Sequence, residues 1–289
     1  MNKLSRFLLG LSVAVTLGGM AAAQENAIPK VLQVTREYTK PGKAGMVHDK
    51  SESVFVQAMA RAKWPTHYLG MTSLSGKERA LFFTQYASFE AWEQDNTAVE
   101  KNAALSAALD RAGMADGDLL DEIDQGVFIF RDEMSLRPMA DLSHMRYLDI
   151  SVYHVRPGHD GEWNDLVKMV KSAYETAVPT AHWGMYEEVY GGTGGTYIVL
   201  TARKTLAEID RAFAEDDPKF EAAMGAEGMK RLGELVGTSV DSSEHQLFAF
   251  NPHMSYVDEE WIKADSFWKP KAAMAPAAKP AMEEKKAKP

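Results

Sequence analysis

The chain has 289 residues, 45% apolar and 25% charged, with no cysteine and a formal net charge of −9. That balance excludes a wholly disordered, collagen-like or disulfide-framed protein, and the length exceeds a single minimal domain. Without cysteine there is no thiolate nucleophile, zinc–thiolate site or iron–sulfur ligation.

Residues 1–23 read as a secretory signal: Lys3 and Arg6, an apolar run from Phe7 to Leu17, then Ala21 and Ala23 at the cleavage positions. Gly18 and Gly19 follow too soon for a permanent anchor, and no later segment is long and apolar enough to span a bilayer. The expected address is secreted or periplasmic. The leader carries two positive charges and the tail 269–289 six lysines against two glutamates, which leaves −15 on residues 24–268. An acidic body argues against a nucleic-acid partner. The Ala/Lys/Pro-rich tail is expected to be disordered.

In chain order, Val31–Tyr38 alternates apolar and polar residues and predicts a half-buried strand. A Pro41-Gly42 turn leads into a helix carrying Val47, Val54, Phe55 and Ala58. Strands follow at His67–Thr72 and Arg79–Tyr86, helices at Phe89–Gln94 and Ala98–Ala112, the second opening near Asp95, and a strand at Val127–Arg131. The order then repeats. A strand within Met145–Val155 precedes Pro157-Gly158 and a helix with the stripe Trp163, Leu166, Val167, Val170, Tyr174. Strands Ala181–Tyr190 and Thr196–Thr201 flank a glycine-rich hairpin loop, helices fall at Leu206–Phe213 and Lys219–Leu235, and Gln246–Phe250 closes the copy.

Short matches run in the same order through both halves: Lys40–Gly45 with Arg156–Gly161, Pro65-Thr66 with Pro179-Thr180, and Met134-Ser135 with Met254-Ser255. The chain therefore reads as two copies of one module, 27–137 and 145–257, each in the βαββαβ order of a ferredoxin-like unit. That order, the Pro-Gly turn and the duplication resemble the dimeric α+β barrel superfamily. The ends Met134-Ser135-Leu136-Arg137-Pro138 and Met254-Ser255-Tyr256 are similar to NIPSNAP-like members. The resemblance implies an α+β fold in which the two modules form one barrel within a single chain, a pseudo-dimer with helices outside. Haem-binding oxidases and peroxidases, monooxygenases and isomerases are its functional precedents.

Alternation puts Leu32 and Val34 with Leu148, Ile150 and Val152 on one face, assigned to the helices, and Gln33, Thr35, Glu37, Tyr147, Asp149, Ser151 and Tyr153 on the other, assigned to the barrel interior. A small-molecule site would then use Glu37, Asp149 and Tyr153 with His67 and Tyr68, or His182 and Trp183, at the starts of equivalent strands. Either histidine is a possible haem ligand or general base, or a strand-end histidine in a local hydrogen bond. His48 and His159, near helix starts, read as structural or solvated, and the acidic run Asp116–Asp124 matches no calcium loop. No catalytic residue and no metal-ligand set follows from spacing. Two functions remain open: an exported small-molecule binder, haem-dependent or monooxygenase-like, with its ligand inside the barrel, and a non-catalytic interaction module.

Overall fold

A computed structural model describes residues 28–269; the expected signal segment and nearly all of the Lys-rich tail, expected to be disordered, lie outside the described residues. The first half contributes β1 (Val31–Thr39), α1 (Met46–Ala62), β2 (Tyr68–Ser73), β3 (Arg79–Tyr86), α2 (Phe89–Lys101), α3 (Ala103–Gly117) and β4 (Leu120–Phe130). The second half contributes β5 (Tyr147–Val155), α4 (Asp160–Ala177), β6 (Gly184–Tyr190), β7 (Thr196–Arg203), α5 (Ala207–Arg211), α6 (Asp217–Ser239) and β8 (Val240–Phe250), followed by α7 (Glu259–Ala264). Both Pro-Gly turns place their glycine at positive φ, Gly42 at 76° and Gly158 at 84°, where a Cβ would be strained.

The eight strands form one closed antiparallel barrel in the order β1-β3-β2-β8-β5-β7-β6-β4. Inside each half the order is 4-1-3-2, and two seams join the halves, β2 with β8 and β4 with β6. Serines in matching places hold both seams. Ser135 Oγ accepts the Met185 N–H at 2.9 Å and donates to Arg131 O, while Ser255 Oγ accepts the Gly70 N–H at 2.9 Å and donates to Asn251 O.

All eight strands contribute to one buried apolar cluster, including Leu32, Val34, Met71, Phe83, Phe128, Leu148, Ile150, Ile198 and Phe248. This is the barrel interior. It reverses the expected assignment of faces: the apolar set points inward, and Glu37, Asp149 and Tyr153 point outward toward the helices. An eight-stranded barrel has room inside for packed side chains and little else, so its driest space takes the apolar face. The helices cover the other face. Val47 and Val54, expected on the buried stripe of α1, are exposed; the residues that α1 buries are His48, Glu52 and Ala58.

Helix starts also differ from expectation. Ser88 and Asn102 cap α2 and α3 by accepting the N–H groups of Ala91 and Leu105. Asp95 lies within α2 and instead accepts hydrogen bonds from Trp64 Nε1 at 2.9 Å and Thr66 Oγ1 at 2.6 Å. One end of the barrel is closed by the chain after β8: Trp268 packs edge-on against Phe250 and donates its Nε1 to Ser143 O. Asp265 ties that arm to Arg146 at the start of β5.

Candidate functional site

Two places concentrate functional side chains. The first is a half-open cavity of about 670 Å³ at the closed end of the barrel, between the starts of β1 and β2, the end of β3 and the C-terminal arm. His67, Tyr68, Phe83, Tyr86, Tyr256 and Trp261 give it an aromatic wall, within the size range of small-molecule sites. His67 lies against Tyr256, ring centroids 4.9 Å apart. Among the described residues it makes no side-chain hydrogen bond. Burial holds its pKa below the ordinary 6.5, with Asp258 acting in the opposite direction, so the ring is neutral at pH 7 and can accept a proton. The rim carries Lys30 against Asp141, Asp258 and Glu260.

The second place lies between the barrel's outer face and the helices of the first half. Glu37 on β1, His48 and Glu52 on α1 and Asp116 on α3 turn toward one point, one ligand-type atom from each lying within 4.8 Å of the others. His48 Nε2 is 3.2 Å from Glu37 Oε2, 3.5 Å from Asp116 Oδ1 and 3.7 Å from Glu52 Oε1. None of these contacts is aligned as a hydrogen bond, and all four atoms are buried without a partner. Burial, reinforced by the Glu37 and Asp116 carboxylates, pushes the Glu52 carboxyl up to about 9. Burial opposes the charged form of His48, but Asp116 and Glu37 outweigh it and bring the imidazole to about 10. Tyr68, on the cavity wall, feels the same field: burial first, then Glu52 and Glu37, raises its phenol, and its hydroxyl is also buried and unpartnered.

The seven expected ligand-binding residues thus separate. His67 and Tyr68 meet at the mouth cavity, and Glu37 sits beneath α1 rather than inside the barrel. Asp149 faces outward and pairs with Arg203 at 3.3 Å. Tyr153 packs on Trp163, ring centroids 5.4 Å apart. His182 and Trp183 border a void of about 60 Å³, too small for an organic ligand. The two ring nitrogens of His182 face Thr180 O and Ala202 O, and Trp183 donates to Met134 O; these are local structural bonds. The bridges Tyr68–Tyr256 and Leu136–Trp183 put His67 and His182 at equivalent positions.

His48, Glu52 and Asp116 escaped the sequence reading, although a signal was present. His48 and Glu52 are four apart, one helical turn, on the face where α4 of the second half carries Trp163 and Val167. Where the stripe of Val47 and Val54 was expected to be buried, α1 instead buries this polar pair. Asp116 opens the acidic run, but Asp121 and Glu122 lie exposed on β4 and take no part.

No protein-family model matches the chain, and no curated protein sequence does. Solved structures match its shape. A candidate monooxygenase of Fusobacterium nucleatum superposes with a TM-score of 0.51 at 10% identity, over 77% of this chain and 92% of that one. An anthrone oxidase-like protein gives 0.48 at 11% identity over 78% and 93%, and chlorite dismutase of Candidatus Nitrospira defluvii 0.46 at 9% over 84% and 98%. At these identities the likeness is one of fold, that of the dimeric α+β barrel proteins, and fold leaves function open.

Proposed function

We propose that the mature chain is an exported small-molecule-binding protein whose ligand occupies the cavity at the barrel mouth. The observation that carries this reading is the aromatic cavity of about 670 Å³ with a neutral, unbonded His67 on its wall. Rings on several sides favour a flat apolar ligand, and the acidic excess at the rim favours a neutral or cationic one. The finer reading is a monooxygenase-like reaction, the class named for the Fusobacterium protein, with His67 accepting a proton from an acidic group of the ligand. The two halves, in the same element order, are read as duplicated ferredoxin-like modules spanning 27–137 and 145–257, a pseudo-dimer in one chain.

The residues do not fit a haem. Phe128, Phe248, Leu32 and Met71 fill the barrel interior, both ring nitrogens of His182 face carbonyls, and the rim near His67 carries Asp141, Asp258 and Glu260, which oppose a dianionic cofactor. The filled interior favours one other reading, that of an interaction module in which the barrel is scaffold.

Fluorescence titration of the full mature protein with the neutral aromatic probe N-phenyl-1-naphthylamine separates these readings. Saturable binding near one equivalent, weakened about tenfold (~1.4 kcal/mol) by Trp261→Ala, supports the cavity; unsaturable binding, unchanged in the variant, favours the scaffold. Hemin should give no saturable Soret shift. A shift abolished by His67→Ala would overturn the charge argument.

A further inference from the structure

We propose that Glu37, His48, Glu52 and Asp116 form a binding site for one divalent first-row transition cation, separate from the mouth cavity. Nine buried side-chain nitrogen or oxygen atoms lack a partner among the described residues, and four of them converge here. They are shielded from water: His48 and Asp116 are 2% exposed, Glu52 4% and Glu37 9%. Three carboxylates sharing one desolvated space repel one another, and a lone imidazole with no aligned N–H bond does not satisfy them. A dication does. It gives each orphaned atom a ligand bond.

The spacing suits a small cation. Ligand atoms at about 2.1 Å from a metal stand about 3.4 Å apart in a tetrahedron and up to about 4.2 Å across an octahedron. The contacts of 3.2, 3.5 and 3.7 Å from His48 Nε2 bracket the first value, and the 4.8 Å limit over all four atoms needs a contraction of roughly half an ångström to meet the second. An imidazole with carboxylates selects zinc, manganese or iron(II) over calcium, which takes six to eight oxygens at longer range.

The fold itself has no need of this cluster. In the second half the space between β5, α4 and α6 is filled by Tyr153, Trp163, Val167 and Leu235. A buried charged set is often neutral or destabilising compared with such packing, so the acids of the first half answer to something other than the core.

The test uses the full mature chain without an affinity tag, stripped with a chelator and titrated calorimetrically with zinc chloride and with manganese chloride. The expected result is close to one equivalent of cation, a rise in Tm of roughly 5 °C or more at saturation, and loss of both in His48→Ala and Glu52→Gln, with His67→Ala unaffected. Because a tetrad variant can misfold, pulsed EPR of the manganese-loaded wild type gives a second readout, the coupling of a single imidazole nitrogen. No saturable binding to the stripped wild type would overturn the proposal, as would binding that survives in both folded tetrad variants or a manganese spectrum without nitrogen coupling.

Discussion

The two halves of this molecule run through the same elements in the same order, yet they fill one equivalent space in opposite ways. Between β5, α4 and α6 the second half packs Trp163 at a tilt against Tyr153 and Tyr197 and closes the gap with Val167 and Leu235. Between β1, α1 and α3 the first half places an imidazole among three carboxylates. The barrel, turns and seams are common to both, so the fold tolerates either solution. The difference shows that α1 and α4 do different work: α4 holds its half together by apolar burial, whereas α1 gives up that burial for ionisable groups. Since a well-packed aromatic stabilises and a desolvated acid destabilises, the two sites should respond to substitution with opposite signs.

The largest expected effect lies in the second half. Trp163→Ala, which empties a site only 1% exposed, should lower stability by about 3–5 kcal/mol in a urea titration; a loss below about 1 kcal/mol would mean that the helix–sheet packing is not the main support of that half. Next, Glu52→Val places in α1 the residue that α4 carries at the matching position. In metal-free buffer at about pH 7 it should raise stability by about 1–3 kcal/mol, because the Glu52 carboxyl, held up at about 9, has to take up a proton on folding, and with zinc in excess the ranking against wild type should reverse. The same sign under both conditions would break the contrast between the halves.

A smaller effect tests what the halves share. Ser135 and Ser255 make the same pair of bonds at their respective seams, so each Ser→Ala change should cost about 1–3 kcal/mol, and the two values should agree within about 0.5 kcal/mol. Unequal losses would show that the seams differ in strength. The smallest effect concerns the arm at the barrel mouth. Hydrogen bonds from Arg146 and from the Phe267 N–H hold the Asp265 carboxyl down to about 2 from its ordinary 3.8. Because the folded value is the depressed one, this contribution is fully present above about pH 4 and is lost as pH falls from 3.8 through 2. Tryptophan emission from Trp261 and Trp268 should shift in that window, and Asp265→Asn should remove the difference between the arm at pH 5 and at pH 2.5.

Legibility from sequence followed how strongly each residue's surroundings repeat along the chain. The strand Arg79–Tyr86 was read to the residue and Val31–Thr39 to within one, because the first centres on a compact apolar run and the second alternates, and both are bounded by turns. The last strand of each half was read short. Leu120–Gly126 and Val240–His245 are polar and mostly exposed, and they are strand because β1 and β5 pair with them, which no local pattern announces. Of the expected ligand residues, His67 and Tyr68 reached the cavity because they begin a strand at its rim. Asp149, His182 and Trp183 found partners across the sheet or in the backbone, and apart from Thr180 those partners are 20 to 54 residues distant along the chain.

The element order, the Pro-Gly turns and the two faces of each strand were all determined by the amino-acid sequence, since each depends on residues close together in the chain. Which face became the interior was decided only by closure of the barrel, because alternation separates two faces and says nothing about which is enclosed. The same holds for the tetrad. Glu37, His48, Glu52 and Asp116 span 80 residues, and only the packing of α1 and α3 over β1 brings their four ligand-type atoms within 4.8 Å of one another.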